Sequence, residues 1–155
     1  MLVDAFDGRF SETDWEHTEG GWRVVAFDGD RPVSHAAVVP RVLTIGDARL
    51  LAGYVEGVAT AIDRQRQGLA SAVMAEVADI VRDHYELGAL STGHSAFYER
   101  LGWERWRGPS FVRDGETLMR TPHEDEGLMV LRVGASRALD PSAPISCESR
   151  AGDDW

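Results

Sequence analysis

Gln65-Arg66-Gln67-Gly68-Leu69-Ala70 stands where the chain changes its hydrophobic period. Upstream, residues 54–60 (Tyr-Val-Glu-Gly-Val-Ala-Thr) read as a strand rich in β-branched and aromatic side chains. Downstream, Leu69, Val73, Val77, Ile80 with Val81, and His84 recur at three- and four-residue steps, the spacing of an amphipathic helix of about four turns. The junction is therefore a glycine-containing turn that opens a helix. N–H groups at a helix start lack internal partners, and the helix dipole adds partial positive charge there, so the site favours a phosphate. Gly68 and the small Ala70 leave room for an oxygen, and Arg64 and Arg66 bring charge beside it. The Lys-Ser/Thr pair of a P-loop and the Gly-x-Gly-x-x-Gly of a dinucleotide fold are both absent. Taken alone, the pattern also fits an ordinary helix start that needs a small residue.

Before this junction, residues 22–27 and 33–39 are β-rich runs separated by Asp28-Gly29-Asp30-Arg31, a hairpin signal. Residues 41–45, the turn Gly46-Asp47 and residues 49–51 continue an antiparallel meander, and Ser11 is placed to cap a short helix with Asp14 three residues on. After the long helix, residues 87–90 form a short strand, residues 95–101 a second helix closed by Gly102, and residues 111–112 and 128–133 the closing strands. The stretch from Leu139 onward is Pro- and Ser-rich without a strong period. The order predicts an α/β (α+β) sheet, mixed and mostly antiparallel, with a central crossover.

The length of 155 residues suggests one domain spanning 1–155. The formal net charge of −10 would repel a phosphate backbone, which argues against nucleic acid. No apolar run is long enough to span a bilayer, and Met1-Leu2-Val3-Asp4 does not resemble a secretory signal. With Cys147 as the single cysteine, the expected compartment is the reducing cytoplasm. The histidines lack metal-ligand spacing, so no metal is expected. Acids concentrate at both ends: Asp4, Asp7, Glu12, Asp14, Glu16 and Glu19 near the start, Glu148, Asp153 and Asp154 near the end. If the two ends meet, they form a negative pocket suited to a cation, although a solvated, frayed terminus is the alternative.

The turn Gln65-x-x-Gly68-x-Ala70 at a strand-to-helix junction, followed by Ala96-Phe97-Tyr98-Glu99-Arg100-Leu101-Gly102-Trp103, resembles the GCN5-related N-acetyltransferase (GNAT) superfamily. The resemblance implies acetyl-CoA as co-substrate, with its pyrophosphate on Gln65, Arg66, Gln67, Gly68, Leu69 and Ala70. It also implies that strands 54–60 and 87–91 splay apart, so that the pantetheine arm pairs with the backbone of Glu56, Gly57 and Val58. Glu56 is a carboxylate within an apolar strand; it reads as a general base acting through water or an ammonium anchor, or else as an outward-facing residue. Tyr98 matches the thiolate-protonating tyrosine of the superfamily, with a packed aromatic as the alternative. Ser91 is placed to polarise the thioester carbonyl or bind acceptor, and Thr92 competes for that role.

Within the superfamily, Gly53-Tyr54-Val55-Glu56-Gly57-Val58-Ala59, Arg120-Thr121-Pro122, Phe10-Ser11-Glu12-Thr13-Asp14-Trp15 and the closing Arg150-Ala151-Gly152-Asp153-Asp154-Trp155 look like the aminoglycoside 2′-N-acetyltransferases. That likeness implies direct transfer to a 2′-amine in a ternary complex, a possible homodimer, and an acceptor side holding Asp14, Asp125, Asp153 and Trp155 with its carboxylate. Glu124 and Glu126 compete with Asp125. An aminoglycoside is a polycation, which suits clustered carboxylates. Two features depart from the family pattern. Arg9 stands where an acceptor-side Asp is expected, with Asp7 two residues away, and the chain starts inside the family's first helix, so the N-terminal strand is expected to be missing. Alternatives are a GNAT enzyme acting on another amine such as a polyamine, or a truncated protein that binds coenzyme A with little turnover.

Overall fold

The computed structural model describes residues 1–5 and 8–155; Asp7, weighed above as a substitute for the displaced acceptor-side acid, lies outside them. In chain order the elements are α1 (Leu2–Ala5), α2 (Glu12–His17), β1 (Trp22–Asp28), β2 (Arg31–Ile45), β3 (Ala48–Thr60), α3 (Leu69–His84), β4 (Leu87–Ser91), α4 (Ser95–Glu99), β5 (Glu104–Arg105), β6 (Ser110–Asp114), β7 (Thr117–Arg120), β8 (Leu128–Arg132) and β9 (Ile145–Glu148). One sheet carries the order β5-β8-β4-β3-β2-β9-β6-β7, with β1 added on β2. The β3–β4 and β6–β9 pairs are parallel and the other pairs antiparallel, the mixed α+β sheet expected from the element order.

The meander differs in one respect from its sequence pattern. Four suggested runs merge into two long strands, β2 and β3, paired from Ser34 opposite Thr60 to Ile45 opposite Ala48. Pro40 interrupts the pattern but not the strand. Beside β2, β1 has already ended with Trp22 opposite Val38, and β9 begins only at Leu43, so Pro40 lies at an unpaired stretch of edge where its missing N–H costs no bond. Besides the two-residue β5, the sequence pattern does not predict β7 and β9. Each is only four residues long, too short for alternation to register.

Each face of the sheet has its own core. Neighbouring residues split between them: Val55, Leu90 and Met129 pack with α3, whereas Tyr54, Ala89 and Val130 pack with Trp106, Ile145 and Trp155. The helix expected at residues 69–84 forms with those bounds and buries Val73, Met74, Val77, Ala78 and Val81. Each fully buried aliphatic side chain of this kind contributes about 1.5–3 kcal/mol. His84 at its end stacks on Trp22 at 4.8 Å. α4 is shorter than the 95–101 span expected; Gly102, at φ 88°, ends it, and the Trp103 N–H returns to the Tyr98 carbonyl at 3.1 Å. Among the described residues, no helix is long and apolar enough to cross a membrane.

β3 and β4 part company where the family resemblance requires. Their pairing covers Ala52 with Leu87, Gly53 with Gly88 and Tyr54 with Ala89, then stops. Beyond that point β3 stays with β2 and β4 stays with β8. The sheet therefore opens a gap lined on one side by residues from Val55 to Thr60 and on the other by Leu90 and Ser91.

Candidate active site

At the mouth of that gap lies a cavity of about 660 Å³, bounded by Val58 and Thr60 of β3, Gly68 and Ser71 of the turn, and Phe97 and Tyr98 of α4. Gly68 caps α3 at φ 82°, and a Cβ there would meet nothing within 4 Å. Glycine is thus needed for backbone conformation, and the space before it is open to a ligand. The first helical bond runs from Ala72 N–H to Gly68 O at 3.0 Å, so the N–H groups of Leu69, Ala70 and Ser71 precede it without an intrahelical partner. Arg66 adopts φ 60°, a left-handed conformation rare outside glycine, and its exposed side chain stands beside these donors.

The turn is braced from behind. Gln65 Nε2 and Gln67 Nε2 donate to Thr60 O and Asp63 O, each at 3.5 Å. Arg31 grips both Asp63 oxygens at 2.8 Å, tying the turn to the β1–β2 hairpin. Arg64 lines the cavity beside the turn, and its guanidinium also pairs with Asp28, Nε donating at 3.1 Å, so it shares its charge with the hairpin.

On β3, two residues, Gly57 and Val58, oppose Ala36 alone, because Ala37 faces Glu56 and His35 faces Ala59. This bulge needs Gly57 at φ 59°. His35 Nδ1–H donates to the Gly57 carbonyl at 2.8 Å, so that carbonyl faces β2 rather than the gap. Of the three residues whose backbone the resemblance pairs with pantetheine, Glu56, Gly57 and Val58, Gly57 thus has its carbonyl engaged by His35. Burial holds His35 below its ordinary pKa, with the Gly57 bond pulling the other way and Arg23 adding to the depression. The ring is thus neutral and fit to hold the bulge.

Tyr98 is 7% exposed, its ring edge-on to Phe97 and Trp103. Burial pushes its phenol up to about 12, against an opposing hydrogen bond with the Thr92 side chain. It therefore carries its proton at neutral pH. The Ser91 hydroxyl, placed by its sequence position to polarise the carbonyl or bind acceptor, donates to Glu124 Oε2 at 2.9 Å. The Thr92 side chain hydrogen-bonds the Tyr98 phenol, and its Oγ1 accepts from His94 N–H at 3.0 Å.

The acidic ends do meet. His17 Nε2–H donates to Ala151 O at 2.8 Å, and a Cβ on Gly152 would come within 2.7 Å of Thr13 Cγ2. The carboxylates differ in what they are free to do. Asp14 closes the capping box of α2, with its Oδ2 accepting from Ser11 N and Oγ at 2.7 and 2.8 Å. Asp125 is pinned by Arg120 and by Ser110, whose N and Oγ donate at 2.9 and 2.7 Å. Both are expected at the acceptor, and within the fold both also brace their own segments. Glu124 is the acid of the 123–126 segment that reaches the end of β4, and Asp153 is exposed. The Trp155 side chain is buried, 4% exposed, with Nε1–H donating to Thr121 Oγ1 at 3.3 Å. Its indole is a core anchor.

Arg120 holds the Asp125 carboxyl down to about 2, with the Ser110 donors adding to it. The folded value lies below the ordinary 3.8, so the pair stabilises the fold fully above that value and its contribution is lost as pH falls towards 2. Asp125→Asn is expected to unfold at lower urea at pH 7 and to lose less stability than wild type on going from pH 5 to pH 2, which urea titrations across that range would check.

Glu56 comes next to the strand gap, and Arg150 Nη2 stands 2.8 Å from its Oε1. The Arg150 pairing went unread in the sequence. Its signal was present in the closing Arg-Ala-Gly-Asp-Asp-Trp, but nothing local tells which carboxylate that arginine meets.

A parted β3 and β4 over a helix-start cradle, with a buried phenol at its rim, define an acetyltransferase of the GNAT class, and residues 2–106 match the acetyltransferase (GNAT) domain. Over 159 aligned residues the chain is 45% identical to aminoglycoside 2′-N-acetyltransferase of Mycolicibacterium fortuitum, covering 100% of this chain and 82% of that one. The chain belongs to the aminoglycoside 2′-N-acetyltransferase family of GNAT proteins. Among solved structures, Eis1 from Mycobacterium abscessus superposes with a TM-score of 0.60 at 19% identity, over 71% of this chain and 28% of that one. A GNAT family acetyltransferase from Brucella melitensis in complex with acetyl-CoA does so with a TM-score of 0.54 at 17% identity, over 97% of this chain and 74% of that one. At these identities the likeness is one of fold.

Proposed function

We propose that this chain transfers the acetyl group of acetyl-CoA to the 2′-amine of aminoglycosides, directly and within a ternary complex. The observation that carries this reading is the pair of carboxylates flanking the strand gap: Glu56 on β3, and Glu124 bonded to Ser91 at the end of β4. A polycationic acceptor needs such acids, and the gap beside the cradle is where a thioester would lie. The free N–H groups of Leu69, Ala70 and Ser71 hold the pyrophosphate, aided by Arg66. Glu56 takes the acceptor ammonium and, through water, its proton. The freed amine attacks the thioester carbonyl, and collapse of the tetrahedral intermediate expels the thiolate, to which Tyr98 presents its O–H. Asp153 holds a further ammonium of the aminosugar. Asp14, Asp125 and the Trp155 side chain support this surface from beneath.

Purified protein supplied with acetyl-CoA and gentamicin is expected to release free thiol and to yield a product acetylated at N2′ by NMR. An analogue with a 2′-hydroxyl is expected to be inert. Coenzyme A binding without turnover of any 2′-amino aminoglycoside would overturn the proposal, and turnover of a polyamine alone would move it to another amine.

A further inference from the structure

Arg150 belongs to no part of the reaction described so far, yet it makes the closest charge contact to Glu56. Its Nη2 lies 2.8 Å from Glu56 Oε1 but off the hydrogen-bond axis, so the contact is an ion pair rather than an aligned hydrogen bond. Both side chains are largely buried, at 18% and 17% exposure, where a charge pair is screened less than at the surface. Among the described residues Glu56 has no other ion-pair partner.

Arg150 is also fixed from several directions. Its Nε–H donates to Asp153 O at 2.6 Å, and its backbone N–H to Asp154 Oδ1 at 2.8 Å. Its guanidinium carbon lies 5.7 Å from the ring centre of Tyr54, which is 1% exposed. The segment is anchored on either side, by His17 on the Ala151 carbonyl and by the buried indole of Trp155. A guanidinium held this way does not behave as a loose plug that an acceptor pushes out. It stands at Oε1 and leaves Oε2, which accepts no hydrogen bond from the described residues, as the oxygen that can work.

We propose that Arg150 is a positioning residue that fixes the Glu56 carboxylate, so that the 150–155 segment acts on acceptor use through Glu56. The inference rests on the proposed role of Glu56 in holding and deprotonating the acceptor. A working group displaced by about 1 Å costs on the order of 10²-fold in rate, which sets the size of effect to look for.

Five proteins test it: wild type, R150M, E56Q, the E56Q/R150M double variant and R150K as the conservative form. R150M is expected to lose about 10- to 100-fold in kcat/KM for the aminoglycoside. Its KM for acetyl-CoA should move by less than about twofold, because the cradle lies elsewhere. R150K should recover much of the loss, because a charge remains near Oε1. In the double variant R150M should add nothing to E56Q, since Arg150 has no carboxylate left to position. Calorimetric binding of coenzyme A checks that each variant is folded; if R150M fails, R150K in the wild-type and E56Q backgrounds carries the same comparison. Losses that multiply in the double variant, or acceptor kinetics unchanged in R150M, would overturn the role of Arg150 while leaving that of Glu56 intact. E56Q with wild-type turnover would instead remove the Glu56 reading, and this inference with it.

Discussion

Tyr98→Phe is expected to lower kcat by about 10²-fold or more, within the range for loss of a positioned proton donor. The substitution deletes one oxygen. The ring keeps its contacts with Phe97 and Trp103 at 4.9 and 6.3 Å, so packing survives. What is lost is an O–H whose pKa burial has pushed up to about 12, a proton that stays in place throughout the working pH range. Such a group donates to charge as it develops on the leaving sulfur and does not compete with the base that takes the ammonium proton. The KM for acetyl-CoA should change little, because the pyrophosphate site proposed above is the start of α3, away from the phenol. Steady-state kinetics with both substrates varied would check it. An unchanged kcat would leave Tyr98 as a packed aromatic. The wild type should also show no loss of rate from deprotonation of this phenol between pH 7 and pH 10, since its pKa lies well above that window.

Trp155→Ala is expected to cost about 3–5 kcal/mol of stability, the range for truncating a buried large aromatic. The indole is 4% exposed within the core that contains Tyr54, Trp106, Leu128 and Ile145, and its N–H bonds Thr121. Losing it leaves a cavity beneath the parallel β6–β9 pair and releases the turn in which Arg150 N–H bonds Asp154. The second consequence is functional. The KM for aminoglycoside should rise more than that for acetyl-CoA, because the loosened segment carries Asp153 and Arg150 whereas the cradle lies on the opposite flank of β3. Urea unfolding followed by kinetics below the transition would separate the two effects. Equal rises in both KM values would assign the segment a structural role alone. Trp155→Phe, which refills most of the volume, should restore most of the stability.

Much of the cofactor side was legible in advance, and the reason is physical. A sixteen-residue helix with its apolar stripe, the glycine that must open it at φ 82°, and the capping box of α2 are set by residues within four positions of one another. Where the sequence pattern fell short, distant contacts had intervened. Arg64, adjacent to the cradle in sequence, is drawn to Asp28 on the neighbouring hairpin. The Gly57 carbonyl turns to His35 on β2, a contact that the sequence around Gly57 does not encode. The short strands β7 and β9 owe their existence to the partners they meet, since four residues carry too little pattern of their own.

The acceptor side divides along the same line. The sequence by itself determined that acids gather at both ends of the chain and that a glycine turn opens a helix after a strand carrying Glu56, because composition and short-range periodicity are properties of the chain alone. Only the tertiary structure decided what each carboxylate of the chain meets. Asp14 and Asp125 meet a cap and Arg120, whereas Glu124 reaches Ser91 and Glu56 receives Arg150. Charge contacts depend on distance in space and on burial, and contacts such as that of His17 with Ala151, 134 residues apart in sequence, exist only once the sheet has brought both ends of the chain to one place.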